Sequence, residues 1–299
     1  MDVVWPPLPY AEWRETRDTL HMYTQVVGKL RLALSPFEPQ WANVPLYLTA
    51  RGLTTSPMPG GRRSLDAEID LLGHELVLRT TDGMVERRPL GGSVAEFHAD
   101  VMRMLDRMSI AATISAVPVE VDHPIPFADD HTHDVYEPQH ASRFFQVLSM
   151  VDLALKEYHA CFRGRTTPVQ FFWGSFDLAV CRHSTTRVAP SPQARGWARY
   201  TYDAEAICSG WWPGDEHSRY PAFYAYAHPS PTGLEHAAIE PAAAAWNTQL
   251  DEIILPYDAV RQAADPRQEI LTFLRSAYDA AASLMRWDAE LTHIDAPPR

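Results

Sequence analysis

The segment from Asp129 to Asp134 has the densest set of side chains that could do chemistry. It reads Asp-Asp-His-Thr-His-Asp, so His131 and His133 point the same way in an extended chain. Together with an oxygen of Asp130, these imidazoles could bind a metal ion. A metal site needs further ligands that the segment does not supply. We therefore predict no metal, and we keep His131, His133 and Asp130 as the alternative, beside a hydrogen-bonded functional site and an exposed acidic loop.

A second set of side chains alternates along a strand candidate. Trp173, Ser175 and Asp177 would share one face of such a strand. An aromatic ring beside a hydroxyl and a carboxylate suits stacking and hydrogen bonding to a small polar ligand. The alternative is a position in the core of a sheet, where Asp177 would need an arginine partner, either Arg51 or Arg182.

A third set offers groups that bind anions. Arg51 is followed by Thr54 and Ser56, and a guanidinium fork with nearby hydroxyls can hold a carboxylate or a phosphate. The alternative is a strand end whose hydroxyls form a turn. Trp211 stands in a string of glycine, tryptophan and proline and, like Trp173, could form the wall of a pocket.

Common catalytic and cofactor motifs are absent from the sequence. It has no Gly-x-Ser-x-Gly, no Walker loop, no Gly-x-Gly-x-x-Gly after a strand and no His-Glu-x-x-His. No cofactor is therefore predicted. The cysteines, Cys161, Cys181 and Cys208, are odd in number and widely spaced, which predicts packed thiols in a reducing compartment and no disulfide framework.

The elements that must position these residues follow from the apolar pattern. Helices are predicted over 12–34, 93–108, 140–163, 242–255 and 266–287, and strands over 44–54, 69–80, 85–90, 110–121, 169–182, 198–212 and 222–228. Ser93 and Glu96 have the spacing of a capping box. The order predicts an α+β fold with an antiparallel sheet backed by helices, and it leaves open two pseudo-repeated α-β-β-β-α halves.

Composition restricts the class of protein. The 299 residues carry a formal net charge of −12, and 46% of them are hydrophobic. A chain this acidic is a poor match for nucleic acid or an anionic membrane surface. We expect an N-terminal half (1–121), an acidic connecting loop rich in histidine and proline (122–138) and a C-terminal half (139–299), packed as one compact unit. No signal peptide is recognised, so we expect a soluble cytoplasmic monomer or homodimer.

Several unusual strings resemble one bacterial family, domain of unknown function 5996. They are Thr19 to His21, Gln25 to Lys29, Leu48 to Ser56, Phe171 to Val180, Gly210 to Gly214 and Leu255 to Asp258. The resemblance covers nearly the whole chain. It implies no reaction, because the family has no assigned activity.

Three functions fit the sequence. The first is the binding of a small polar or anionic molecule in a cleft between the halves, with or without catalysis. The second is a non-enzymatic interaction or scaffold protein, and the third is a metal-dependent hydrolase that uses the region of Asp130 and His133. The candidate ligand-binding residues are Arg51, Thr54, Ser56, Asp130, His133, Trp173, Ser175, Asp177, Arg182 and Trp211.

Overall fold

The computed structural model describes residues 4–190, 192 and 199–292, so residue 198, the first of a predicted strand, lies outside the described residues. The helices are α1 (Tyr10–Leu34), α2 (Val94–Arg107), α3 (Pro138–Ala160), α4 (Tyr257–Arg261) and α5 (Pro266–Leu284). The strands are β1 (Tyr47–Leu48), β2 (Gly52–Thr54), β3 (Met58–Gly60), β4 (Arg63–Asp70), β5 (Glu75–Thr80), β6 (Val85–Pro89), β7 (Arg165–Thr166), β8 (Gln170–Phe172), β9 (Asp177–Arg187), β10 (Ala204–Trp212), β11 (Ala222–His228), β12 (Ala245–Asn247) and β13 (Glu252–Pro256).

Side chains cap the first turns of two helices. At α2, the Ser93 hydroxyl accepts the backbone N–H of Glu96 at 3.3 Å, and the Glu96 carboxylate accepts the N–H of Ser93 at 2.9 Å. The predicted capping box is therefore confirmed. At α5, Asp265 accepts the N–H of Gln268 at 3.0 Å, and Pro266 stands in the first turn, where its missing N–H does no harm.

The described residues form two compact units. The N-terminal unit comprises Ala11–Val147 and Gln170–Phe176. Its antiparallel sheet has the strand order β1-β2-β4-β5-β6, and β3 pairs with β4. Every residue of α1 from His21 to Leu30 is buried. Because this stretch of the helix is enclosed on all sides, its polar side chains need hydrogen-bond partners within the protein.

The C-terminal unit comprises Met1–Tyr10, Leu148–Val169 and Asp177–Arg299. Its sheet is antiparallel in the order β12-β13-β11-β10-β9-β7, and α5 packs on β10 and β11. Along β11, Tyr224 and Tyr226 are half-buried and the residues that alternate with them are buried. One face of this sheet is therefore apolar core, and the other carries tyrosines.

Two antiparallel sheets with helices confirm the predicted α+β class. The two units are each built from separate segments of the chain, whereas the expected halves, 1–121 and 139–299, are contiguous. These halves, the connecting loop 122–138 and a duplication of the halves stay predictions. A helix with the length and apolarity needed to cross a membrane does not occur in the described part of the chain.

Two predicted strands are broken by turns. Residues 44–54 form β1 and β2, because the Thr49 hydroxyl accepts hydrogen bonds from the N–H groups two and three residues further on, both at 3.0 Å. Residues 69–80 fall in β4 and β5, with a turn in which Asp70 Oδ1 accepts two backbone N–H groups in the same way, at 3.0 and 2.7 Å. Short polar side chains inside an alternating pattern thus made turns.

Two further predicted elements are wrong. Residues 110–121 form no strand in the described chain, and the backbone of Val119 pairs instead with the side-chain amide of Gln25. Residues 242–255 contain β12 and β13 in place of a helix. Pairing of β13 with β11 overrides the helical preference of the alanine run that precedes it.

The expectation about the cysteines is also corrected. Cys181 of β9 and Cys208 of β10 lie directly opposite each other, with Cα atoms 4.1 Å apart, and form a disulfide. The two residues are 27 positions apart in the sequence, and only the register of the two strands brings them together. Cys161 is free and exposed.

Candidate functional site

Asp130 closes the acidic loop on itself. Its Oδ2 accepts a hydrogen bond from Nδ1 of His133 at 2.7 Å, and its Oδ1 accepts the backbone N–H groups of Thr132 and His133, each at 3.1 Å. Asp130 is fully buried, and His133 is half-buried. The sequence placed these two side chains in one candidate site, and the structure brings them into contact.

The same loop caps α2. The backbone carbonyl of His133 accepts the N–H of Val94 at 3.0 Å, and the carbonyl of Asp130 accepts the N–H of Ala95 at 2.9 Å. These N–H groups have no partner within the helix, since they belong to its first turn. Asp130 and His133 are thus hydrogen-bonded to each other and to α2. The fully buried Asp130 differs from the exposed acidic loop considered in the sequence analysis, and the metal site stays an untested alternative.

The anion-binding groups predicted around Arg51 form hydrogen bonds with other residues of the N-terminal unit. Arg51 Nε donates to Asp70 at 2.5 Å, and this hydrogen bond raises the pKa of Arg51. The Thr54 hydroxyl donates to Asp66 and accepts the backbone N–H of Ser56 at 2.9 Å. The alternative of a strand end with turn-forming hydroxyls therefore describes these residues better than an anion site.

Trp173 and Ser175 lie in a turn and not in a strand. The predicted strand 169–182 is interrupted after β8, where the N–H of Phe176 donates to the carbonyl of Phe172 at 2.8 Å. Phe176 has a φ of 61°, which a strand does not allow. Trp173 is buried and Ser175 is exposed, so the predicted shared face is wrong for these two residues.

Asp177, Arg182 and Trp211 belong to the C-terminal unit. Asp177 is buried and accepts a hydrogen bond from the hydroxyl of Tyr224. Arg182 is five residues further along β9 and lies on the opposite face, which it shares with the fully buried Trp211. The predicted pair of Asp177 with Arg182 is therefore wrong, because strand alternation separates the two side chains.

A row of polar side chains on α1 escaped the sequence analysis. His21, Gln25 and Lys29 are four residues apart and lie along one side of the helix. His21 Nε2 donates to the carbonyl oxygen of Gly174 at 2.9 Å, and burial lowers the pKa of His21 to about 3. Its ring is therefore neutral, and it holds the Trp173 turn against α1.

Gln25 ties a second segment to the same side of α1. Its Nε2 donates to the carbonyl of Val119 at 2.7 Å, and its Oε1 accepts the N–H of Val119 at 2.9 Å. Because both ends of the amide are used, the chain that leads from Val119 to Phe127 is anchored beside Lys29. Two segments distant in sequence thus meet along this helix.

Lys29 lies close to an aromatic ring from each of those two segments. Its ammonium nitrogen is 5.8 Å from the centroid of Trp173 and 5.9 Å from that of Phe127. The residue is only 3% exposed, and burial lowers its pKa. Within residues 4–190, 192 and 199–292 no carboxylate or other hydrogen-bonding group contacts the ammonium. Lys29, Phe127 and Trp173 are called the Lys29 site below.

The indole of Trp173 is fixed in this site by two contacts. Its Nε1 donates to the carbonyl of Val44 at 2.9 Å. Its ring lies flat on α1 at Gly28, where a Cβ atom would come within 2.2 Å of Cδ1. Only glycine allows this approach, although it is a poor helix former. One wall of the Lys29 site therefore depends on the residue that precedes the lysine.

Three signals in the sequence could have revealed this site. Only Lys29 and Lys156 are lysines, His21, Gln25 and Lys29 recur every four residues, and a glycine interrupts an otherwise strong helix. The resemblance included this string and assigned no role to it.

The fold and these side chains define an α+β protein with a buried lysine close to two aromatic rings. The chain belongs to DUF5996, a family of unknown function, whose model matches residues 5–294. Neither the curated proteins nor the solved structures include a match to it.

Proposed function

We propose that this protein binds a small anionic molecule at the Lys29 site. One observation carries the proposal: Lys29 is only 3% exposed, and no acidic group contacts its ammonium within the described residues. The proposal agrees with the expectation of a polar or anionic ligand, and it assigns no reaction.

The cost of burying the charge of Lys29 exceeds the stabilisation that the two rings provide. Taking an ammonium out of water costs several kcal/mol after relaxation, whereas one cation–π contact returns about 0.5–2 kcal/mol. The rings of Trp173 and Phe127 lie near the outer limit of this interaction, at 5.8 and 5.9 Å. An anion beside Lys29 would supply the missing opposite charge.

The surroundings also favour particular ligands. Trp173 and Phe127 offer apolar ring surface near the charge, which suits a carboxylate or phosphate attached to a planar or apolar body. His21 and Gln25 hold both segments in place, so the walls exist before a ligand arrives. Such preorganisation lowers the entropic cost of binding.

The experiment measures stabilisation by defined anions. Unfolding free energies are determined in acetate, benzoate and inorganic phosphate at constant ionic strength, for the wild type, Lys29→Met and Lys156→Met. A ligand at 100 times its Kd stabilises the folded state by about 2.7 kcal/mol. We expect stabilisation of the wild type, and a larger effect of benzoate than of acetate if the rings contact the ligand.

Lys156 provides the matched control, because it pairs with Asp152 at 2.6 Å and its side chain is 56% exposed. Lys156→Met should respond to the anions as the wild type does, and Lys29→Met should not respond. Equal responses of all three proteins, or no response of the wild type to any of the anions, would reject the proposal and favour the scaffold alternative.

A further inference from the structure

A second buried cation lies in the C-terminal unit. Arg182 is 2% exposed, and its guanidinium carbon is 3.5 Å from the ring centroid of Tyr158, 4.6 Å from Tyr278 and 4.9 Å from Phe162. One Nη donates to the backbone carbonyl of Tyr158 at 2.5 Å. Aromatic rings and a carbonyl thus surround this charge, and no carboxylate forms an ion pair with it in the described residues.

Three hydrogen-bond donors in this cluster are enclosed by protein. Nε of Arg182 has no hydrogen-bond partner in the part of the chain that the structure describes, and the hydroxyls of Tyr158 and Ser209 have none besides each other. Burial raises the pKa of the Tyr158 phenol, and the hydrogen bond with Ser209 is a smaller effect that lowers it. Buried polar groups in folded proteins almost always have partners.

The register of the strands places these donors together. Arg182 pairs with Ile207, and Val180 pairs with Ser209, so Arg182 and Ser209 share one face of the sheet on adjacent strands. Tyr158 reaches this face from α3 and stacks on the guanidinium. Burial lowers the pKa of Arg182. Among the groups that counteract this shift, the carboxylate of Asp279 has a smaller effect than Tyr158, Tyr278 or Cys161.

We propose that Arg182, Tyr158 and Ser209 bind one small monovalent anion, for which chloride is the natural candidate. An anion would accept hydrogen bonds from all three donors and neutralise the buried charge, whereas a water molecule would satisfy donors without supplying charge. Tyr158 is 1% exposed and Ser209 is 0% exposed, so an anion bound here would be enclosed by protein. This site is separate from the Lys29 site and does not depend on its function.

The test is made in the Lys29→Met background, so that anion binding at the Lys29 site does not interfere. Crystals grown in bromide should show an anomalous peak within hydrogen-bonding distance of Arg182 Nε. In solution, replacing gluconate by chloride at constant ionic strength should raise the unfolding free energy. Well above Kd, each tenfold rise in chloride should shift the unfolding equilibrium tenfold, or about 1.4 kcal/mol.

Ser209→Ala removes one donor with a minimal change in shape, and Arg182→Met removes the charge. We expect the chloride dependence to weaken in the first variant and to vanish in the second; if Arg182→Met does not fold, Ser209→Ala and the bromide map decide. A water molecule at the site, an anomalous peak without any chloride dependence in solution (an adventitious ion only), or an unchanged dependence in both variants would overturn the proposal.

Discussion

Lys29 and Arg182 are buried cations without a carboxylate partner among the described residues. Many arginines in the described part of the chain are paired with carboxylates, as Arg51 is with Asp70. Lys29 and Arg182 instead lie against aromatic rings. Ring contacts only partly offset the lost hydration of a cation. We therefore expect these two side chains to make the unfolding free energy of the protein depend on pH and on anions.

Removal of the Lys29 charge should stabilise the protein near neutral pH when no anion is bound. Burial holds the folded pKa of Lys29 below its ordinary value of 10.5, so the unfolded chain binds more protons between that lowered value and 10.5. Stability from this group then rises with pH through the same window. We expect Lys29→Met to be more stable than the wild type by about 1–3 kcal/mol near pH 7, with the difference shrinking as pH approaches 10.5.

Chemical unfolding of both proteins at several pH values, in buffer of low anion content, measures this difference. Lys156→Met is the control, and it should not gain stability, because it leaves the buried Asp152 without its ion pair. A wild type that is more stable than Lys29→Met at every pH would mean that the ammonium already has a partner.

At the scale of elements, the sequence predicted what local rules decide and missed what tertiary contacts decide. The capping box of Ser93 and Glu96 follows from spacing alone, and it is present. The residues around Trp173 alternate as in a strand, yet they form a turn between β8 and β9. Phe176 has a positive φ in this turn, and the sequence gives no sign of it. The Lys29 site was missed for the same reason, since Phe127 and Trp173 reach Lys29 from segments distant in sequence.

The contact between Gly28 and Trp173 makes a testable prediction about α1. Alanine is a better helix former than glycine by about 1 kcal/mol, yet its Cβ would come within 2.2 Å of the indole. Overpacking of a core costs about 1–3 kcal/mol. We expect Gly28→Ala to be destabilising overall, as measured by urea unfolding.

A double-mutant cycle with Trp173→Leu separates the two effects. When the indole is absent, Gly28→Ala should be neutral or stabilising, because only the helix preference remains. The same loss in both backgrounds would show that the indole does not lie on the helix at this position.

At the scale of the whole molecule, the net charge of −12 and the disulfide bear on where and how the protein works. A negative overall field slows the approach of an anion, so any selectivity for anions has to come from local groups such as Lys29. The cytoplasmic prediction rested partly on the cysteines, and the bond between Cys181 and Cys208 removes that support.

The state of the cysteines gives the last prediction. If cells are lysed in the presence of an alkylating agent and the protein is then denatured without reductant, only Cys161 should be modified, because it is the free and exposed cysteine. Prior reduction should expose Cys181 and Cys208 as well. The bond joins residues 27 positions apart. By lowering the entropy of the unfolded chain, it should raise the unfolding free energy by about 3–4 kcal/mol, and Cys181→Ser should lower that free energy by a similar amount. Alkylation of all three cysteines without reductant would show that the bond does not form in the cell, and it would restore the argument for a reducing compartment.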